Sequence, residues 1–218
     1  LHPLRGQNNV QGASDAGLIP MMYPDYKSVN AASVKAMFED LWGTELSDEP
    51  GLTVVETMNA VHDGSVTGMY VEGENPAMSD PDLHHARAAL AKLEHLVVQD
   101  LYVTETAMYA DVVLPASAWP EKDGTASNTN RTVQMGRQAV NPPGDARQDW
   151  WIIQEIANRM GLNWTYTHPR DVFAEMKQAM PSLNNLTWER LEAEHSVTYP
   201  CPAEDHPGND LSLIHISE

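Results

Sequence analysis

The feature that most constrains the fold is an alternation of short apolar segments with helical segments in the middle of the chain. The apolar segments, each as long as a buried strand, are residues 66–71, 96–98 and 112–114. A helical pattern at residues 83–93 and a short helix capped by Thr104 lie between them. Strands that alternate with helices at this spacing predict βαβ units. We therefore expect an α/β fold with a Rossmann-like parallel sheet flanked by helices.

Polar residues follow two of the predicted strands at the end where parallel sheets bind ligands. Asp100, in the pair Gln99-Asp100, is placed to accept hydrogen bonds from a ribose or a purine, but a cap or turn would use the same side chain. Gly73 permits close backbone approach and Asn75 offers a donor and an acceptor, although an ordinary turn is the simpler explanation. The local pattern leaves these alternatives open.

Outside this stretch the sequence predicts mainly helices and loops. The further helices are expected at residues 31–42, 54–61, 149–160, 171–180 and 187–194. Asp149 is the predicted N-cap of the 149–160 helix, whose apolar stripe is expected to be Ile153, Ile156, Ala157 and Met160. Residues 1–30 predict a structured loop region and residues 119–130 a polar loop.

The charge of the chain limits its partners. Asp and Glu outnumber Lys and Arg by 31 to 13, which gives a formal net charge of −18. Such a surface repels a phosphate backbone, so nucleic-acid binding is not expected. Any anion site must supply its own cations and N–H donors. No stretch approaches the roughly 20 apolar residues of a transmembrane helix, so we expect no membrane span.

The cysteine and histidine pattern predicts no metal ligand in this chain. A single cysteine, Cys201, cannot build a tetrathiolate zinc site or an iron–sulfur cluster, and it indicates a reducing compartment. His84 and His85 are adjacent, so on a helix they diverge by about 100°. The chain also contains no GxGxxG or P-loop pattern for a nicotinamide or nucleoside triphosphate.

An arginine near the start of the chain lies in an unusual setting. Arg5 precedes Gly6 and Gln7 in a segment rich in amide side chains. A guanidinium in such a loop could bind a small carboxylate through two hydrogen bonds. An arginine on the surface of a polar loop is the commoner explanation, and the local sequence does not separate the two.

Four strings together resemble the molybdopterin oxidoreductase superfamily. They are RGQNNVQGASD at 5–15, GENPAMSDPD at 73–82, VVQDLYVTETAMYADVVLPASAWPEKDGTASNTNRTVQ at 97–134 and PPGDARQDWWIIQEIANRMG at 142–161. The resemblance covers about residues 1–210. The first string is similar to formate dehydrogenases. NTNRTVQMGR at 128–137 and WTYTHPRDVFAEMK at 164–177 are similar to the soluble, NAD-dependent type.

The resemblance implies roles for particular residues. Arg5 would be the catalytic residue that orients formate, with Gln7 near the pterin. The residues implied to contact the pterin-dinucleotide cofactor elsewhere are Gly73, Asn75, Ser79, Gln99, Asp100, Lys122 and Asp149. Within this set, Gln99 and Asp100 would bind the guanosine portion, and Lys122 would supply a local cation. Asn130 and Thr132 depart from the Glu and Arg common elsewhere in the superfamily, which puts any role at those two positions in doubt.

The resemblance also implies what the whole protein does. The chain would be a fragment of a DMSO-reductase/formate dehydrogenase-like catalytic subunit, inactive by itself and cytoplasmic. Its cofactor would be bis(molybdopterin guanine dinucleotide) with molybdenum or tungsten, and a [4Fe-4S] cluster would be ligated outside this segment. Formate would be oxidised to carbon dioxide, with electrons passing through iron–sulfur and flavin/NAD-binding partner subunits to NAD. The alternatives are another member of the superfamily, such as a nitrate reductase, a scaffold related to the large iron–sulfur subunit of NADH dehydrogenase, and a generic acidic nucleotide-binding module.

The expected domain organisation follows from the same resemblance. Residues 1–65 would form an active-site loop and helical segment, and residues 66–165 the Rossmann-like dinucleotide-binding part. Residues 166–210 would be a helical extension that leads to a further C-terminal domain. Residues 211–218 continue no pattern and are expected to be a non-native tail.

Overall fold

A computed structural model of the chain describes residues 6–208. Arg5 and the tail at 211–218 therefore lie outside the described residues. The described part forms two compact units, each built from separate stretches of sequence. Unit 1 contains residues 6–51, 123–137 and 166–208, and unit 2 contains residues 52–122 and 138–165.

The described residues contain α-helices, β-strands and short 3₁₀ helices. The α-helices are α1 (Val10–Asp15), α2 (Ala32–Trp42), α3 (Val54–Asp63), α4 (Pro76–Ser79), α5 (Leu83–Leu90), α6 (Asp149–Arg159), α7 (Pro169–Ala179) and α8 (Trp188–Glu194). The strands are β1 (Met22–Tyr23), β2 (Lys27–Ser28), β3 (Gly68–Glu72), β4 (His95–Asp100), β5 (Val112–Pro115), β6 (Gly124–Ser127), β7 (Thr132–Gly136) and β8 (Ser196–Thr198). The short 3₁₀ helices are Pro24–Tyr26, Ala107–Tyr109, Trp119–Glu121 and Pro181–Leu183.

Unit 2 is built on a parallel sheet in the order β3-β4-β5, as the strand–helix alternation predicts. Val98 of the central strand is fully buried, and it packs with Val71 of β3 and Leu90 of α5 in an apolar core. The first strand is displaced from its predicted position, because it extends to Glu72 instead of ending at Val71. This displacement aligns Glu72 with Gln99 across the sheet.

Two helices of unit 2, α3 and α5, begin where the sequence supplies a capping side chain. Thr53 and Glu56 form a reciprocal capping box at the start of α3. The Asp82 side chain accepts a hydrogen bond from the backbone N–H of His85 at 3.1 Å and caps α5. Thr104, predicted as the N-cap of the next short helix, lies two residues before that position, which Thr106 occupies. The Thr104 hydroxyl accepts from the backbone N–H of Ala107 at 3.3 Å, and the helix is a short 3₁₀ turn.

The predicted stripe of the 149–160 helix is partly wrong. Asp149 is the first helical residue of α6, and Gln148 occupies the N-cap position. Ile152 and Ala157 are buried, whereas Ile153 is 36% exposed and Met160 is 80% exposed. The helix is thus rotated by about one residue from the predicted orientation, because residues one apart on a helix point about 100° apart.

Gly73 is required by the turn that ends β3. Its φ is +64°, in the left-handed region, and its backbone N–H donates to the carbonyl of Gln99 at 2.9 Å. A Cβ at this position meets no atom within 4 Å, so the cost of a side chain is one of backbone strain.

Gly73→Ala in the full-length protein is expected to weaken this turn by about 1–2 kcal/mol, because left-handed backbone is unfavourable for alanine. Hydrogen exchange at the ends of β3 and β4 measures the local opening. Gly124→Ala is the matched control: its added Cβ also has open space, and its φ lies outside the left-handed region. Equal exchange rates in the two variants would contradict the prediction.

Unit 1 contains an antiparallel sheet in the order β6-β7-β8. The prediction of a polar loop over residues 119–130 is wrong, because residues 124–127 pair with β7. This strand consists of small, half-buried residues and therefore lacks the apolar alternation that marks a strand. The core of the unit includes Phe38, Phe173 and Leu191, from three different helices, and Val133 from the sheet.

The prediction of a loop region over residues 1–30 is also wrong within the described residues. Residues 10–15 form α1, and β1 pairs with β2 in a short antiparallel hairpin. A six-residue helix is too short to show an apolar stripe in its sequence. Its Gly12 lies directly under the Asn9 side chain, where an added Cβ would overlap the amide oxygen.

The two units are interleaved in sequence. Most of the predicted dinucleotide-binding part, residues 66–165, lies in unit 2, whereas residues 123–137 within it lie in unit 1. The division at residues 65, 165 and 210 stays a prediction. Across residues 6–208, none of the helices combines the length and apolar character needed to cross a membrane.

Candidate functional site

The loops that follow β3 and β4 are joined by one asparagine. The Asn75 side-chain oxygen accepts from the backbone N–H of Thr106 at 3.1 Å and from its hydroxyl at 2.7 Å. The Asn75 amide nitrogen donates to Glu105 at 2.8 Å. The Ser79 hydroxyl donates to the carbonyl of Asn75 at 3.1 Å. Two predicted cofactor residues, Asn75 and Ser79, therefore hold together the rim of the crevice at the carboxyl end of the sheet.

Gln99 lies at the centre of a side-chain network at the same end of the sheet. Its side chain is fully buried, and its amide nitrogen donates to Asp149 at 2.8 Å and to Glu72 at 3.2 Å. Its amide oxygen accepts from the hydroxyl of Tyr70. The network thus joins β3, β4 and the first turn of α6.

Lys122 closes the network on its other side. Its ammonium group forms an ion pair with Asp149 and lies 5.7 Å from the centre of the Trp119 ring. Lys122 is thus paired with Asp149, and its role as a local cation for the cofactor stays a prediction. With Glu72 ionised, two carboxylates face one ammonium group, so the network as a whole is negative.

The electrostatics of the network affect Glu72 and Tyr70. Desolvation of the carboxylate raises the pKa of Glu72, the nearby Asp149 raises it further, and Lys122 acts in the opposite direction. Burial of the hydroxyl raises the pKa of Tyr70 to about 12, and the charges of Glu72 and Asp149 act in the same direction. Tyr70 therefore remains a hydrogen-bond donor throughout the physiological range.

Gln99 and Asp100 were predicted as a pair, but they point to opposite faces of the sheet. Consecutive residues of a strand alternate between faces, and Gln99 shares its face with Tyr70 and Glu72. Asp100 is half-buried, and its carboxylate accepts from the backbone N–H of Leu101 at 2.6 Å. The structure therefore brings together Gln99, Lys122 and Asp149, and it leaves Asp100 outside their network.

Unit 1 presents a separate polar groove, lined by residues 6–11 and 127–129. Gln7, predicted to lie near the pterin, is one of the lining residues. The Asn9 side-chain oxygen accepts from the backbone N–H of Ser127 at 2.9 Å and joins the two sides of the groove. The amide-rich string at the start of the chain thus forms a polar surface next to the position of Arg5 in the sequence.

A cluster of buried side chains around Asp15, the last residue of α1, stabilises this helix. Asp15 is 4% exposed and accepts from the amide of Gln11 at 2.6 Å and from the hydroxyl of Tyr199. The Arg131 side chain is 8% exposed and lies 5.4 Å from the Tyr199 ring, with one guanidinium nitrogen unpaired. Burial raises the pKa of Asp15, whereas its hydrogen bonds to Gln11 and Tyr26 and the Arg131 charge lower it.

The described residues contain no group of three or more His, Cys, Asp or Glu side chains arranged to hold a metal. Cys201 is buried, and its thiol donates to the carbonyl of Thr198 at 2.9 Å. Burial raises the pKa of this thiol. His85 contacts Asn59 and stacks on His62, with 4.0 Å between the ring centroids.

Comparison with known proteins gives the context of this geometry. The family model described as molybdopterin oxidoreductase matches residues 5–159. The chain is 44% identical to the F420-dependent formate dehydrogenase subunit alpha of Methanocaldococcus jannaschii, over 97% of this chain and 31% of that protein. It is 45% identical to YrhE of Bacillus subtilis, provisionally named a formate dehydrogenase, over 91% of this chain and 20% of that protein. The chain belongs to the molybdopterin oxidoreductase family.

The fold agrees with this assignment. The structure superimposes on acetylene hydratase from Pelobacter acetylenicus with a TM-score of 0.59 and 20% sequence identity, over 88% of this chain and 26% of that chain. The mixed α/β architecture with a parallel sheet is therefore shared with another protein of known structure. The chain spans about a fifth to a third of the length of the curated relatives it matches.

Two members of the network, Tyr70 and Glu72, were missed by sequence reasoning about this molybdopterin oxidoreductase. The available signal was the alternation of side chains along β3, which places both residues on one face. It could not be used without the register, because only the pairing of Glu72 with Gln99 shows which face they share.

Proposed function

We propose that this chain forms part of the cofactor-binding wall of a formate dehydrogenase catalytic subunit. The observation that carries the proposal is the hydrogen-bonded set of Gln99, Lys122 and Asp149 at the carboxyl end of a parallel sheet. Ligands of open α/β sheets bind at this end. Membership of the molybdopterin oxidoreductase family gives the ligand class, a molybdopterin cofactor with molybdenum or tungsten.

The residues present fit the nucleotide end of such a cofactor. The rim loops are held in place by Asn75, and Gly73 leaves open space where a ligand could approach the backbone. Carboxylates at the crevice suit a nucleoside, whose base and ribose carry N–H and O–H donors. We therefore assign bis(molybdopterin guanine dinucleotide) as the cofactor, with Gly73, Asn75, Ser79, Asp100, Lys122 and Asp149 as its wall in unit 2 and the buried Gln99 supporting that wall.

The substrate assignment rests on the first string of the chain. Arg5 would hold formate through charge-assisted hydrogen bonds, and Gln7 lies in the polar groove that follows it. The bound metal supplies the two-electron chemistry of formate oxidation to carbon dioxide. This chain orients the substrate and surrounds part of the cofactor; a [4Fe-4S] cluster outside the chain would carry the electrons away.

For the electron acceptor we propose NAD. The strings at 128–137 and 164–177 favour the cytoplasmic, NAD-dependent type with flavin and iron–sulfur partner subunits. The relative from Methanocaldococcus jannaschii is named as F420-dependent. Assays of the purified full-length enzyme with NAD and with F420 separate the two acceptors.

The full-length, fully matured protein is expected to contain molybdenum or tungsten together with guanine nucleotide, and to oxidise formate. Metal analysis, nucleotide release by acid and a formate-dependent dye reduction assay test these three properties. Metal and nucleotide with nitrate reduction but no formate oxidation would favour the nitrate reductase alternative. Absence of both from matured protein would favour the electron-transfer scaffold and overturn the proposal.

A further inference from the structure

Only some members of the network around Gln99 are placed to contact a ligand. The Gln99 side chain is 0% exposed, and all three of its hydrogen bonds go to protein side chains. A primary amide offers two N–H donors and one oxygen. Both N–H groups are already in use and the whole side chain is buried, so Gln99 presents no accessible group that could contact a cofactor directly.

The two carboxylates to which Gln99 donates, those of Glu72 and Asp149, are better placed to contact a ligand. Glu72 is an exposed residue of β3, and Gln99 donates to its Oε1 atom alone. The Oδ1 atom of Asp149 accepts a hydrogen bond from Gln99, and its Oδ2 atom accepts one from Lys122. Of the two carboxylates, Glu72 is therefore the more exposed, and it has no cation bonded to it among the described residues.

We infer that Gln99 is a positioning residue that orients the Glu72 carboxylate, and that Glu72 accepts a hydrogen bond from a donor group of the cofactor's nucleoside. This inference rests on the proposed function. Tyr70 fixes the orientation of the amide, because its hydroxyl donates to the amide oxygen and leaves the nitrogen facing the carboxylates.

The negative charge of the network determines which part of the cofactor it can bind. Glu72 and Asp149 together outweigh Lys122, so a diphosphate next to them would meet net repulsion. A base N–H or a ribose O–H instead gains a charge-assisted hydrogen bond from a carboxylate. The network therefore suits the nucleoside and not the phosphates.

Glu72→Gln in the full-length holoenzyme tests this directly, with the rate of release of the whole cofactor as the readout, followed through the guanine nucleotide that stays protein-bound after gel filtration. The change removes one charge and weakens the acceptor, so release is expected to be about tenfold faster. If phosphates lay next to Glu72, the same change would relieve repulsion and slow the release. Glu94→Gln, at an exposed residue directly before β4 and thus at the opposite end of the sheet, is the matched control and should leave the rate unchanged.

The pH dependence gives a second readout that a purely structural role would not change. The groups facing Glu72 are Tyr70, Lys122 and Asp149. Since the pKa of Glu72 is raised, acidification should protonate it early and speed nucleotide release in the wild type. In Glu72→Gln this acceleration should be much smaller.

Tyr70→Phe keeps the proposal testable if Glu72→Gln fails to mature. Tyr70 is 43% exposed, so loss of its hydroxyl should not prevent folding, but the Gln99 amide is no longer fixed and release should become severalfold faster. Unchanged or slower release in Glu72→Gln overturns the inference. If Glu72→Gln does not mature, the same result in Tyr70→Phe overturns it. A wild-type protein without guanine nucleotide would instead overturn the proposed function.

Discussion

Arg5→Ala in the full-length enzyme is expected to lower kcat/KM for formate by about 10²–10³. A guanidinium that binds a carboxylate in a site shielded from water contributes a charge-assisted, two-point interaction, and loss of one such group typically costs this much. The chain has a net charge of −18, so no general positive field would replace the lost cation. Steady-state kinetics with formate measure the effect.

Cofactor content must be measured alongside the kinetics of Arg5→Ala. Metal and guanine nucleotide are expected to stay near wild-type levels, because Arg5 is assigned to the substrate and the network around Gln99 to the cofactor. Arg5→Lys is the control: it retains the charge without the planar fork and should recover only part of the activity. Normal metal content with unchanged formate kinetics would show that Arg5 does not orient the substrate.

The parallel sheet could be predicted from sequence because its signal is local. The runs around Leu96 and Val112 are short and apolar and are separated by helical segments, and the buried residues of β4 confirm that pattern. Strand β6 could not be predicted, since Gly124, Thr125, Ala126 and Ser127 carry no apolar alternation. Their partner β7 follows directly after residues 128–131, but the sequence of β6 itself contains no pattern that marks it as a strand.

The candidate site was predictable only in part for a related reason. The polar residues at the strand ends, such as Gln99, stand out because they interrupt an apolar run. Glu72 lies one residue beyond the predicted strand end, and its role depends on being opposite Gln99. Register and side-chain direction are properties of paired strands, so a single strand's sequence does not contain them.

Asp15→Leu is expected to destabilise unit 1 by about 3–5 kcal/mol, because it leaves buried polar groups without their acceptor. The Tyr199 hydroxyl and the Gln11 amide both donate to Asp15, and Arg131 loses the charge that compensates its burial. Hydrogen exchange over residues 10–16 of the full-length protein reports the local opening of α1. That helix directly follows the polar groove, so formate turnover should fall together with protection.

Asp15→Asn separates the effect of charge from the effect of hydrogen bonding. The pKa of Asp15 is raised above its ordinary value of 3.8, so folding favours the protonated carboxyl group. Its contribution to stability is complete below pH 3.8 and is lost as the pH rises through the folded-state pKa. Asparagine resembles the protonated form and does not titrate, so the wild type should lose protection of α1 relative to Asp15→Asn as the pH rises. The opposite trend would mean that Asp15 is stabilised in its charged form, with Arg131 outweighing desolvation.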